Sequence, residues 1–153
     1  MEVIFRFENK PTNNFLGTDG SSEAVSIFDN GLIRYERFKF NSRKIIAEEE
    51  IGPIQEVADK VKAVVEEYAN QISEFPDFID NCCFDGAWQY FQIGTKQICV
   101  DNMEFLEDAD METIILMNEG ETLERILTST RQTNIMVDIY RRVARILGEL
   151  QDK

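Results

Sequence analysis

The stretch "AVSIFDNGLIRYERFKF", residues 24–40, constrains the fold of this chain more than any other. Two alternating apolar runs flank Asp29-Asn30-Gly31, and an Asn-Gly pair readily takes positive φ, so the chain must double back there as a tight hairpin. Upstream, "EVIFRFE" at residues 2–8 places Val3, Phe5 and Phe7 on one face of a strand. The intervening "NKPTNNFLGTDGSSE" is rich in turn formers and reads as a loop. Downstream, a second turn at Asn41-Ser42 leads into "RKIIAEEEI", a third strand of the same meander. The "EEE" at 48–50 suits an edge strand, where charge discourages further pairing.

The period then changes from two to between three and four. Gly52 and Pro53 open a helix, with Pro in its first turn. Ile54, Val57, Ala58, Val61, Val64, Val65, Tyr68, Ala69 and Ile72 form one apolar stripe, with Glu56, Asp59, Lys60, Lys62, Glu66 and Glu67 opposite. "SEFPDFIDNCCFDG" is an irregular aromatic connection, and "AWQYFQIGTKQICVD" is a second hairpin turning near Gly94-Thr95. "TIILMN" fits either a strand or a buried helix segment. "GETLERILTST" predicts a short helix and "TNIMVDIYRRVARILGELQDK" a final one, with Met136, Ile139, Tyr140, Val143, Leu147 and Leu150 on a common face. No repeat, low-complexity tract or Pro/Gly-rich linker divides the chain. The expectation is an α+β fold in one domain spanning 1–153. Its mainly antiparallel sheet, an N-terminal meander plus a second hairpin, is packed by one long central helix and by C-terminal helices.

Several function classes are excluded by composition. The chain contains no His, which removes His-based general bases, nucleophile relays and metal ligands. Its net charge of −13 disfavours direct binding to nucleic acid or to an anionic membrane. The longest aliphatic run is "IILM" at 114–117, far short of a bilayer span, and the N-terminus lacks the basic and apolar regions of a signal peptide. Three Cys, two of them adjacent at 82 and 83, point to the reducing cytoplasm.

Charge is also sorted along the chain. Residues 74–124 hold thirteen acids against the single base Lys96, whereas residues 30–44 carry a surplus of four positive charges and residues 125–153 a surplus of three. The densest acidic stretch, "DNMEFLEDADME", contains Asp101, Glu104, Glu107, Asp108, Asp110 and Glu112 and no base. Asp108, Asp110, Glu112 and Glu119 fall at positions 1, 3, 5 and 12 of a calcium loop, but position 6, which should be Gly, is Thr113. "DADME" also has the Asp-x-Asp spacing of phosphoryl-transferring aspartate enzymes, without the buried strand that should precede it. Cys82 and Cys83 stand among Asp77, Asp80 and Asp85, which disfavour a thiolate, and Cys99 sits in a strand pattern. A metal site built from all three thiols has no evident fourth ligand.

Two further groups invite a binding role. Trp88 and Tyr90 share one face of their strand and Phe91 and Ile93 the other. Either both faces are core, or a helix covers one and leaves Trp88 and Tyr90 as contact residues with an acidic rim. Arg34, Arg37, Lys39, Arg43 and Lys44 could hold phosphate, although alternation separates Arg34 from Arg37 and Lys39. They could equally offset the acidic segment. The expected function is a non-enzymatic acidic protein-binding domain, of inhibitor or immunity type, that engages a basic protein surface through Asp101, Glu104, Glu107, Asp108, Asp110, Glu112, Trp88 and Tyr90. No cofactor is expected. Alternatives are a divalent-cation-dependent enzyme or sensor using residues 101–112, and a structural subunit or homodimer.

Overall fold

A computed structural model describes residues 1–11, 20–81, 87–101, 103 and 120–151. The strands are β1 (Val3–Pro11), β2 (Ser22–Phe28), β3 (Ile33–Phe38), β4 (Ile45–Ile51), β5 (Phe78–Ile79), β6 (Ala87–Ile93) and β7 (Lys96–Asp101). Among the described residues the helices are α1 (Gln55–Ile72) and α2 (Leu123–Gln151). All seven strands join one sheet in the order β4-β3-β2-β1-β6-β7-β5, antiparallel except for β5 beside β7. The architecture is therefore the expected α+β arrangement, with the second hairpin (β6–β7) docked on the first strand of the meander.

The Asn-Gly signal produces its hairpin in a specific form. Gly31 N–H donates to Phe28 O at 2.9 Å and Phe28 N–H to Leu32 O at 2.9 Å, while Asn30 Oδ1 accepts from Leu32 N–H at 3.0 Å. Only Gly31 of the turn has positive φ, +89°, so this is a three-residue loop closed by a left-handed Gly rather than a two-residue loop. Gly31 also touches the start of α1. Its carbonyl accepts from Ile54 N–H at 3.0 Å, and a Cβ placed on it would lie 2.1 Å from Ile54 O. The turn therefore fixes where the helix begins. Pro53 stays outside that helix, because Ile54 is the extended N-cap residue and the first turn starts at Gln55.

One face of the sheet is apolar. Phe5, Phe7, Ile27, Ile33, Phe91, Ile93, Ile98 and Val100 meet Val57, Val61 and Val64 of α1 and Met136, Ile139 and Val143 of α2 in one buried cluster. The Phe7 and Phe91 rings meet edge-on at 5.1 Å, and Tyr140 lies 4.5 Å from Phe7. The helices are tied to each other by Tyr68, whose hydroxyl donates to Asp138, and by Arg142, which bonds Glu67 at 2.7 Å and lies over the Tyr68 ring. Hydrogen bonding to Asp138, more than burial, pushes the Tyr68 phenol above its ordinary value.

The structure differs from the sequence expectation at further points, the first being that β1 runs on to Pro11 and β2 starts at Ser22, inside the expected loop. The two predicted C-terminal helices are one helix of 29 residues. The Ser/Thr-rich stretch between them holds no Gly or Pro to break it. Ser129 Oγ donates locally to Ile126 O, and Thr133 meets Asn81 from a distant part of the chain. Thr122 Oγ1 caps the start by accepting from Arg125 N–H at 3.2 Å. The irregular connection after α1 also contains β5, whose two residues are too few to leave a pattern. "TIILMN" lies outside the described residues.

Candidate functional site

Strand register decides which side chains share the second face of the sheet, since residues directly opposite one another point the same way. Three cross-strand rows matter. They are Arg6–Gln92–Gln97, Glu8–Tyr90–Cys99 continuing to Phe78, and Lys10–Trp88–Asp101. Both helices pack on the opposite face, so among the described residues no helix covers these rows. The turn joining β3 to β4 folds back over part of them. Its Arg43 lies 4.2 Å above the Phe38 ring and reaches Glu8 with contacts of 2.9 and 3.1 Å.

The aromatic part of this face is exposed. Trp88 is 41% and Phe78 43% accessible. Their rings meet edge-on at 6.3 Å, and Tyr90 continues the cluster 6.5 Å from Trp88. The alternation of β6 therefore resolves as a covered face bearing Phe91 and Ile93 and an uncovered one bearing Trp88 and Tyr90. Most of the acidic rim expected from sequence lies outside the described residues; the described surroundings of Tyr90 carry both signs of charge. They form a cleft of about 740 Å³ lined by Arg6, Lys10, Arg43 and Lys96 as well as Glu8 and Asp77.

Glu8 is the unusual member of the cleft. It is 3% exposed, although it lies on the face away from the helices. Arg6 bonds it at 3.1 Å and Arg43 at 2.9 Å, so its burial comes from two guanidiniums laid across it. Alternation of Arg6, Glu8 and Lys10 along β1 is plain in the sequence, but nothing local announces that Arg43 arrives from 35 residues away. Beside Glu8, burial pushes the Tyr90 phenol up, and burial likewise pushes the Cys99 thiol up to about 11. A thiol so shifted is protonated at neutral pH and is a poor nucleophile.

The expected partner-binding residues divide among three situations. Trp88 and Tyr90 lie together on the uncovered face. Asp101 is in register with Trp88 but only 5% exposed, so it is not part of a solvent-facing rim as expected. It belongs instead to a buried junction in which its carbonyl accepts from Asn81 Nδ2 at 2.9 Å, with Thr133 3.1 Å from the same amide. Glu104, Glu107, Asp108, Asp110 and Glu112 lie outside the described residues, as do Cys82 and Cys83. Among the described residues no three metal-binding side chains converge.

The basic stretch of residues 34–44 is also dispersed. Arg34 pairs with Glu50 at 2.9 Å and Glu48 at 3.6 Å on β4, Arg37 Nε donates to Ser21 Oγ at 2.8 Å, and Arg43 goes to Glu8. Among the described residues, Arg34 is thus matched by carboxylates of β4 and Arg43 by one of β1. Of that acidic middle, Asp77 faces Lys96 at 3.8 Å, while Asp80 and Glu121 both contact Arg125. No helix of the described residues is long and apolar enough to cross a membrane. Compared with known proteins, the chain matches no family model and no curated sequence.

Proposed function

We propose that this chain is a non-enzymatic protein-binding domain that engages its partner through the uncovered face of the sheet. The observation that carries this reading is the aromatic cluster of exposed Phe78 and Trp88 with half-buried Tyr90 beside them. Burying aromatic surface of this kind on association removes apolar area from water, and Trp and Tyr are enriched among residues that dominate interface energetics. Two features weigh against a chemical role for the same face: the chain contains no His, and its Cys99 thiol is pushed up to about 11.

The partner is a protein with a basic surface. At long range it meets a chain of net charge −13, whose field raises the encounter rate more than the final affinity. The acids Glu104, Glu107, Asp108, Asp110 and Glu112 contribute to that field. An inhibitor or immunity-type role suits such a domain, because occlusion of a partner requires no reacting group.

The test is affinity capture at low salt from the native host, run in parallel with wild type and with Phe78→Ala/Trp88→Ala. Both positions are more than two-fifths exposed, so the variant should melt like wild type. Wild type should retain a basic protein that the variant loses. Retention should fall as salt rises through roughly 0.1 to 0.5 M, because the Debye length shrinks over that range. A partner held equally by both proteins, or held regardless of salt, would refute the proposal. Sedimentation at several concentrations separates this reading from a homodimer that buries the same aromatics.

A further inference from the structure

The cleft beside Tyr90 has a local charge opposite to that of the chain. Arg6 and Lys10 from β1, Arg43 from the β3–β4 turn and Lys96 from β7 converge on it, against the two carboxylates Glu8 and Asp77. Glu8 is fully engaged by the two guanidiniums. Asp77 is 94% exposed and sits 3.8 Å from Lys96, so solvent screens it. The Lys10 side chain makes no hydrogen bond or ion pair among the described residues. A surplus of two positive charges therefore lines a concave surface in a protein of net charge −13.

We propose that this cleft binds a small phosphate monoester. Three observations fit that class. At neutral pH a monoester carries between about 1.5 and 2 negative charges on one compact group, which matches the local surplus. Arg43 uses Nη1 for both of its contacts with Glu8, and a guanidinium has five N–H donors, so donors remain for phosphate oxygens. Tyr90, with Trp88 6.5 Å away, supplies a planar apolar wall for the group that the phosphate is attached to. Glu8 acts as an internal brace. It holds Arg6 and Arg43 in place before the ligand arrives, so less side-chain freedom is lost on binding.

Calorimetric titration of the intact protein with phenyl phosphate, inorganic phosphate and phenol tests this assignment, with emission of Trp88, the only tryptophan, as a second readout. Phenyl phosphate should bind saturably and perturb Trp88 emission. Inorganic phosphate should bind more weakly, and phenol should give no saturable heat. Lys10→Glu should weaken phenyl phosphate about tenfold or more, the equivalent of losing a charge-assisted hydrogen bond. Arg43→Gln, at a side chain 65% exposed, carries the same decision should the Lys10 variant misfold. Phenol binding as well as phenyl phosphate would overturn the proposal. So would an absence of saturable binding by either phosphate, or equal affinity in wild type and folded variants. None of these outcomes depends on a protein partner, so this inference and the docking role stand or fall separately.

Discussion

Gly31→Ala should be among the most damaging single-methyl changes in the molecule, and its cost can be divided in advance. The first part is conformational. Gly31 has φ of +89°, and holding a non-glycine residue in such a region costs about 1–3 kcal/mol. The second part is steric. The new Cβ would fall 2.1 Å from Ile54 O and 2.4 Å from Ile54 C, atoms of the backbone that cannot rotate away. Forcing a methyl group into such a contact costs typically 1–3 kcal/mol. Relief requires the turn to move away from α1, which breaks the 3.0 Å bond from Ile54 N–H to Gly31 O and loses about 1 kcal/mol more. The sum, about 3–7 kcal/mol, is a large part of the 5–15 kcal/mol that typically holds a domain together. Gly120→Ala is the matched control. Its φ is +94°, but a Cβ there meets nothing within 4 Å, so only the conformational part applies. Urea unfolding of both variants gives the two costs from midpoint and slope. Equal destabilisation would refute the steric account and leave Gly31 as an ordinary turn glycine.

The buried junction between β7 and α2 should be similarly intolerant. Asn81→Ala removes the amide that serves both Asp101 O and the fully buried Thr133 hydroxyl, and should cost about 1–3 kcal/mol in the same unfolding assay. A loss under 0.5 kcal/mol would show that the network is not maintained in solution. Cys99 provides a pH prediction. Burial raises the folded thiol to about 11, above its unfolded value, so its contribution to stability is present below the unfolded value and is lost as pH rises toward 11. In a chain with Cys82 and Cys83 replaced by Ser, alkylation of Cys99 should stay slow through pH 9 and accelerate above it; a rate already level by pH 9 contradicts the burial.

What could be read from the sequence is what depends on neighbours along the chain. The Asn-Gly hairpin, the alternation of β1 and the apolar stripe of α1 each lie within one element, and each appears in the fold as expected. The failures share a different cause. The junction at residues 128–133 looks like a helix break because Ser and Thr compete with the backbone for hydrogen bonds, yet Thr133 is fully buried against Asn81, which lies 52 residues earlier. β5 exists only because β7 offers an edge beside it. The cleft was missed for the same reason. Arg6, Glu8 and Lys10 look like the solvent side of an amphipathic strand until Arg43 closes over Glu8. By contrast, the basic residues 34–44 stood out as a run, but alternation and pairing with β4 disperse them. A run of charge in sequence fixes total charge, while strand geometry decides which charges meet.

The same distinction reconciles a negative protein with a positive cleft. A charged partner at a distance responds to the summed charge of −13, screened over about 10 Å at 0.1 M salt. A group within the cleft lies closer than that to Arg6, Lys10, Arg43 and Lys96, and the low-dielectric floor of the sheet weakens their field less than water would. Contact is therefore governed by the cations that line the cleft, of which Lys96 is already held by Phe75 O and Asp77, and approach by the whole chain. A large basic protein and a small phosphate ester can then use one face of one sheet without competing for one sign of charge. On the proposed reading the first is drawn by the total and anchored on Trp88 and Phe78. The proposed phosphate ester would be held only at the cleft that Arg43, Lys10 and Tyr90 line.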